Sequence, residues 1–389
     1  MQLKAGDPLV LLSGLPLGRK PSFLRQLEAL AAVWKRRGRT VSLAGPVYPH
    51  VGSRCNPASG EPLWLLSDGG PPVPFERLAA QSRARAVIAL GYPDQFPFSR
   101  ASPREASALA MPCYLWAQFS RPPSPPPAEL PIYVPLTART SEILHAAGGF
   151  RIGPVIPHGV DTAVFAPLTK GGAGQPVSSA DQASRFVVGT VGANTRRKRF
   201  DLIIRAFAMF SRRCPSARLL IKTNRLVSLD GIDLGRLIRR ERIEDRVEIV
   251  VEEMEEVRMA ELYRRMDLYL NLSEWEGFCI PVIEAMASGV PVAAPQIQGP
   301  GEILPYRETL IPGGTIRDQE GSMLLEADPA SACRVLGMLA DDFRLRRRLS
   351  RRGREEAVNR YEIGRIASLW EELLRCRIQR MLKDSEDVR

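Results

Sequence analysis

Residues Asp267 to Gly289 read DLYLNLSEWEGFCIPVIEAMASG, and the periodicity changes partway along them. Asp267 to Asn271 is a short apolar run with the length of a buried strand. Ile280, Val282, Ile283 and Met286 then make a largely apolar helix, with Pro281 in its first turn, where the missing N–H has no partner to lose. Gly289 is placed to end that helix with a positive φ. A strand that feeds directly into a helix is the unit of a parallel α/β sheet, and such sheets bind ligands at the carboxyl ends of their strands.

The same alternation extends on both sides of this stretch. Phe186–Val191, Arg218–Lys222, Val247–Val250 and Val290–Ala294 are strand-like, and Asp201–Ser211 has helical spacing. Before them, Thr169 to Ser184 (TKGGAGQPVSSADQAS) has no apolar period and reads as a linker or flexible loop. A second series precedes it: strands at Leu9–Ser13, Thr40–Ala44, Val87–Leu90 and Tyr114–Trp116, with a helix over Pro21–Arg37. The expected fold is α/β with two Rossmann-like domains, residues 1–165 and 186–362, joined by 166–185. A C-terminal helix and tail follow at 363–389. The charged amphipathic helices Arg344–Asn359 and Ile363–Leu382 either cap the second core or pack back on the first domain.

A length of 389 residues exceeds what one core holds, which agrees with two domains. No run of about 18 apolar residues is present to cross a bilayer. Pro8–Leu17 is short and interrupted by Gly14 and Pro16, and is read as a buried strand rather than a leader. The six cysteines are scattered, without metal-ligand spacing, so a reduced, cytoplasmic protein with no metal and no cofactor is expected. The net charge of +11 calls for an acidic partner. Nucleic acid is not expected, because the arginines lie on amphipathic helices without a nucleic-acid-binding signature. Peripheral contact with the anionic inner face of a membrane is the expectation kept.

Three features carry candidate chemistry. The turn Gly277, Phe278, Cys279, Ile280 offers backbone N–H groups and the positive end of a helix dipole to an anion such as a sugar diphosphate. Glu276 and Glu284 bracket that turn, in roles that are either helix-capping or functional; a carboxylate on so apolar a helix needs a partner, and sugar hydroxyls would serve. In ANTRRKRF (Ala193–Phe200), Arg197 and Lys198 leave the end of the first strand of the second domain, so one of them can reach the same anion while the others stay solvated. Of three histidines, His145 reads as structural, and His158, before Gly159, as a turn residue or a site residue.

These residues resemble the group 1, or family 4, retaining glycosyltransferases of the GT-B architecture, in which two Rossmann-like domains face a central cleft. Glu276 to Glu284 is similar to that family's E-x7-E element and is followed by AMASGVPV. Ile156–Phe165 resembles its interdomain GVD segment, Asn194–Asp201 its phosphate loop, and Ser322–Leu373 its closing helices. The resemblance covers roughly residues 130 to 375. It implies a nucleotide-sugar donor, with Glu284 on the ribose hydroxyls and Glu276 on the donor sugar. The Gly277–Ile280 amides would meet sugar and phosphates, and Lys198 with Arg197 the diphosphate. It further implies transfer of a hexose, without metal, to a glycan, lipid-linked or small-molecule acceptor held by the first domain. Gly14, Asn194, His158 and Gln118 complete the candidates. The sequence departs from the family at Ala193, where an arginine is usual, at Gly14–Lys20, which lacks paired glycines, and in the first-domain histidine. Trp116, Gln118 and Gly91–Phe98 occupy that histidine's region. The alternatives are a nucleotide-sugar epimerase or phosphorylase on the same fold, or a basic nucleic-acid or acidic-polymer binding protein with a degenerate donor site.

Overall fold

The computed structural model describes residues 7–13, 22–46, 64–66, 77, 83–91, 96, 111–117, 119, 131–167, 185–228, 230, 232–317 and 323–386. The chain divides into two units, Met1–Gly159 with Ile363–Arg389, and Val160–Glu362.

In the first unit, seven strands are ordered β3-β2-β1-β4-β5-β6-β7. They are β1 (Leu9–Ser13), β2 (Val41–Pro46), β3 (Trp64–Leu66), β4 (Ala86–Leu90), β5 (Cys113–Ala117), β6 (Ile132–Pro135) and β7 (Arg151–Ile152). All pair in parallel except β3, which runs antiparallel to β2 at one edge. Every residue of β1, β4 and β5 is buried, as strands covered on both faces must be. Helix α1 (Ser22–Arg36) buries Leu24, Leu27, Leu30, Ala31 and Trp34, one stripe at helical spacing. Helix α2 (Ala138–Ala147) is N-capped by the Thr137 hydroxyl, which accepts from the Thr140 amide at 3.1 Å.

The closing helix, Ile363–Glu386, belongs to this unit. Trp370 packs edge-on against Trp116 (5.5 Å) and Tyr114 (5.9 Å), and Arg37 donates to Glu371, Ser368 and the Gly364 carbonyl. Of the two readings open for the terminal helices, packing on the first domain holds for this one.

The second unit holds a parallel sheet of order β10-β9-β8-β11-β12-β13. Its strands are β8 (Val187–Val191), β9 (Arg218–Thr223), β10 (Val247–Val251), β11 (Leu268–Leu270), β12 (Val292–Pro295) and β13 (Leu310–Ile311), followed by a hairpin of β14 (Gly313–Arg317) and β15 (Met323–Ala327). The helices are α3 (Phe200–Arg213), α4 (Leu234–Glu241), α5 (Glu256–Arg264), α6 (Ile280–Ala287), α7 (Pro300–Ile303), α8 (Pro329–Asp341) and α9 (Phe343–Tyr361). Helix α9 caps α6: Ser350 donates to the Gly289 carbonyl at 2.5 Å and Arg354 to the Ala287 carbonyl at 2.6 Å. Gly289 has φ +76 just beyond α6, the conformation expected of a residue that ends a helix there.

The units divide at Gly159, before the expected boundary at 165, and hydrogen bonding explains why. The Ile156 amide donates to Pro135, and Gly159 is bracketed by Gln26, which accepts from its amide at 2.9 Å and donates to its carbonyl at 2.8 Å. The next amide, Val160, donates instead to Tyr361, and Phe165 packs edge-on against Tyr263, 6.0 Å away. Of the expected linker, residues 168–184 lie outside the described residues.

Candidate functional site

Strands β8 and β11 are neighbours, with Val188 opposite Leu268 and Gly189 opposite Tyr269. Because they run in parallel, the loops after Val191 and after Leu270 leave the same end of the sheet side by side. This pairing brings ANTRRKRF to SEWEGFC, although about 80 residues separate them in the chain.

Glu276 lies at the centre of the resulting cluster. It is 5% exposed; one carboxylate oxygen accepts from Lys198 Nζ and from Ser273 Oγ (2.8 Å), and the other forms an ion pair with Arg197 Nη1 (2.8 Å). Burial alone would raise its pKa, but the two cations and the two hydrogen bonds outweigh burial and bring it down to about 2. Glu276 is therefore an anion at any physiological pH. Arg197 also donates to the Trp275 carbonyl at 2.8 Å and lies over the indole, 5.5 Å from its centroid. Gly192 makes room for the lysine, since a Cβ there would sit 3.2 Å from Lys198 Cε.

Two more contacts shape the turn that enters α6. Asn271 accepts from the Ser273 amide at 3.0 Å and faces the Cys279 sulfur at 3.5 Å. Cys279, the N-cap, has φ +81 and no side-chain cap bond, so the first turn of α6 relies on other acceptors for its N–H groups. Burial, with the Glu276 charge adding to it, pushes the Cys279 thiol up to about 12, which keeps it neutral. The Phe278 side chain turns inward against Tyr361, ring centroids 5.9 Å apart, so only its backbone is offered to a ligand. Glu284 has found a protein partner, because the Tyr263 hydroxyl donates to it at 2.7 Å. The partner expected for a carboxylate on this apolar helix is thus supplied by α5, a residue that no local spacing in the sequence could indicate.

Gly299 supports this turn from behind. Its φ is +83, and a Cβ there would land on the Phe278 carbonyl, inside any van der Waals contact. Gly299→Ala is expected to destabilise the protein by about 3 kcal/mol, from backbone strain and overpacking together, measured by urea denaturation. A loss below about 1 kcal/mol would show that the turn can shift to accommodate the methyl group.

The remaining candidates divide. Asn194 is 2% exposed, and its amide donates to the carbonyls of Arg225 (3.4 Å), Leu226 (3.1 Å) and Ile232 (3.3 Å). It ties the basic loop to the loop after β9 and does not present its side chain to a ligand. His158 is 1% exposed in the first unit, its ring 4.7 Å from Trp116, and burial lowers its pKa to about 3. That keeps its imidazole neutral. Gly14 and Gln118 lie outside the described residues, as does most of Gly91–Phe98. Ser273, Trp275 and Tyr263, which the sequence did not single out, contact Glu276, Arg197 and Glu284 respectively. Among the described residues, no group of three or more His, Cys, Asp and Glu side chains is arranged to hold a metal ion.

Residues 176–325 match the family model described as glycosyl transferases group 1. Over 230 residues the chain is 26% identical to the lipopolysaccharide core biosynthesis mannosyltransferase LpsB of Rhizobium meliloti, an alignment covering 57% of this chain and 61% of the relative. Over 177 residues it is 28% identical to the N-acetyl-alpha-D-glucosaminyl L-malate synthase of Bacillus anthracis, covering 45% of this chain and 41% of that one. The chain thus spans about three fifths or less of the curated relatives it matches. In fold it is similar to a sucrose-phosphate synthase from Thermosynechococcus elongatus, with a TM-score of 0.68, 16% identity, and 97% and 100% of the two chains covered. It is likewise similar to Anabaena HepE solved with UDP and glucose, with a TM-score of 0.65, 14% identity, and 95% and 99% covered. Residues 176–325 are thus similar to the group 1 glycosyl transferases, and the chain as a whole has the GT-B fold of its structural neighbours.

Proposed function

We propose that the protein is a retaining glycosyltransferase that moves a hexose from a nucleotide-diphosphate sugar to a glycan, lipid-linked or small-molecule acceptor. The observation that carries this reading is the pairing of Lys198 and Arg197 with the buried Glu276 at the mouth of α6. Two cations, a helix N-terminus and a carboxylate in one place match the needs of an anionic leaving group beside a polyhydroxylated ring. Relatives that transfer mannose or N-acetylglucosamine, and a neighbour solved with UDP and glucose, support the same donor class.

In the reaction proposed, the bond from the anomeric carbon to the diphosphate breaks and a bond from that carbon to an acceptor oxygen forms on the same face. A diphosphate oxygen takes the acceptor proton. Lys198 and Arg197 stabilise the charge that gathers on the diphosphate, without a metal ion. As they turn toward it, Glu276 is released to accept from sugar hydroxyls. Glu284, anchored by Tyr263, holds the ribose. The Glu284→Ala variant is expected to bind the donor nucleoside diphosphate ten- to a hundredfold more weakly, since a hydrogen bond to a charged group contributes about 1.5–3 kcal/mol. Calorimetric titration with UDP and GDP measures this; unchanged affinity would remove Glu284 from the site.

The proposal extends to a cytoplasmic setting with peripheral contact to anionic lipid. No described helix is long and apolar enough to cross a membrane. On α9, Arg344, Arg347, Arg348 and Arg351 are exposed at helical spacing beside Phe343, which is 62% exposed. Co-sedimentation with phosphatidylglycerol vesicles at low salt tests this part by itself.

A further inference from the structure

Arg199 follows Lys198 and is the N-cap of α3, and its backbone is left-handed, with φ +48 and ψ +47. A residue with a Cβ is disfavoured there, and glycine is the usual occupant. Such strain persists only where surrounding contacts over-determine it. In this loop the contacts belong to the Arg199 side chain, which is 12% exposed and reaches carboxylates from three segments. It donates to both oxygens of Asp201 at 3.1 Å and to Glu326 of β15 at 2.6 Å, and lies 3.6 Å from Glu274. A purely conformational role would need none of them.

Those partners are informative. Glu274 stands two residues before Glu276, and its amide donates to the Arg197 carbonyl at 3.0 Å. Its carbonyl accepts from the Leu325 amide at 3.2 Å, next to Glu326. The basic loop, the SEWEG turn and the β15 strand thus form a ring of contacts that the Arg199 guanidinium closes. Inside that ring sit Arg197 and Lys198, both aimed at Glu276.

We infer that Arg199 is a positioning residue, whose guanidinium clamps the basic loop to Glu274 and Glu326 so that Lys198 and Arg197 are held ready for a diphosphate. The inference rests on the proposed transferase reading, and it concerns a residue whose guanidinium is engaged by Asp201, Glu274 and Glu326. Glycine is the discriminating substitution, because it accepts the left-handed backbone while deleting the clamp.

The experiment compares wild type, Arg199→Gly and Glu326→Gln by thermal melting, by amide hydrogen exchange, and by titration with UDP, GDP and inorganic pyrophosphate. Arg199→Gly is expected to melt within a few degrees of wild type. Its amides over 196–199 and 274–277 should exchange faster, and it should bind the probe at least tenfold more weakly. Glu326→Gln, which alters only the outer end of the clamp, is expected to move the same two readouts in the same direction by a smaller factor. Wild-type affinity in Arg199→Gly would overturn the inference, as would exchange unchanged over both segments. If wild type itself binds none of the probes, the transferase reading fails, and the exchange data alone decide whether the clamp exists.

Discussion

Replacing Glu276 with glutamine is expected to destabilise the protein by about 3 kcal/mol and to flatten its stability between pH 4.5 and 2. Glutamine keeps the shape and can still accept from Ser273, but it leaves Lys198, whose side chain is 10% exposed, without its counter-charge. Breaking a buried pair by removing one partner typically costs about 3–5 kcal/mol. The lower end applies here, because the Arg197 side chain is 37% exposed and can turn to water. The pH dependence has a definite sign. The Glu276 carboxyl is held at about 2 in the folded protein against an ordinary 4.5, so its contribution is complete above pH 4.5 and disappears as the pH falls toward 2. Urea titrations at pH 7 and across the acid range should show both effects; equal stability of the two proteins at pH 7 would mean that the pair is not formed in solution.

Lys198→Ala should act on the reaction more than on the fold. Glu276 would retain Arg197 and Ser273, and its charge would stay paired, so the loss of stability should be smaller than for Glu276→Gln. A cation placed where leaving-group charge develops typically contributes about a hundred- to a thousandfold in kcat. The expected result is therefore a fall in kcat of about a hundredfold with donor saturating, together with a rise in the donor KM. A lower melting temperature at unchanged kcat would make Lys198 a structural partner of Glu276 and nothing more.

Much of this site could be read in the chain because local signals coincide with it. β8 and β11 are apolar runs that end in polar loops, and α6 announces itself through Pro281 and Gly289. What joins the two loops is strand order, which no local pattern encodes; β11 lies beside β8 with two whole strands intervening in sequence. The pairing of Lys198 and Arg197 with Glu276 was hidden for the same reason. In the sequence the cations and the carboxylate were each assigned to a ligand, whereas in the fold they pair with one another. The burial of His158 has no local signal, since the ring it packs against belongs to Trp116, 42 residues away. The hairpin β14–β15 gives little periodicity, since β14 (GGTIR) is largely exposed. Yet β15 supplies Glu326, one end of the Arg199 clamp.

In the proposed function, the loops after β8 and β11 form a nucleotide-sugar site in which Lys198 and Glu284 act on the donor. Thermal melting of wild type, Glu284→Ala and Lys198→Ala with UDP-glucose, GDP-mannose and UDP-N-acetylglucosamine tests it most directly. Ligand at a hundred times its Kd stabilises the folded state by about 2.7 kcal/mol, a readily measured shift. One donor class is expected to raise the wild-type melting temperature, and both variants to lose most of that rise; no rise with any donor, or one that survives in both variants, would rule such a site out.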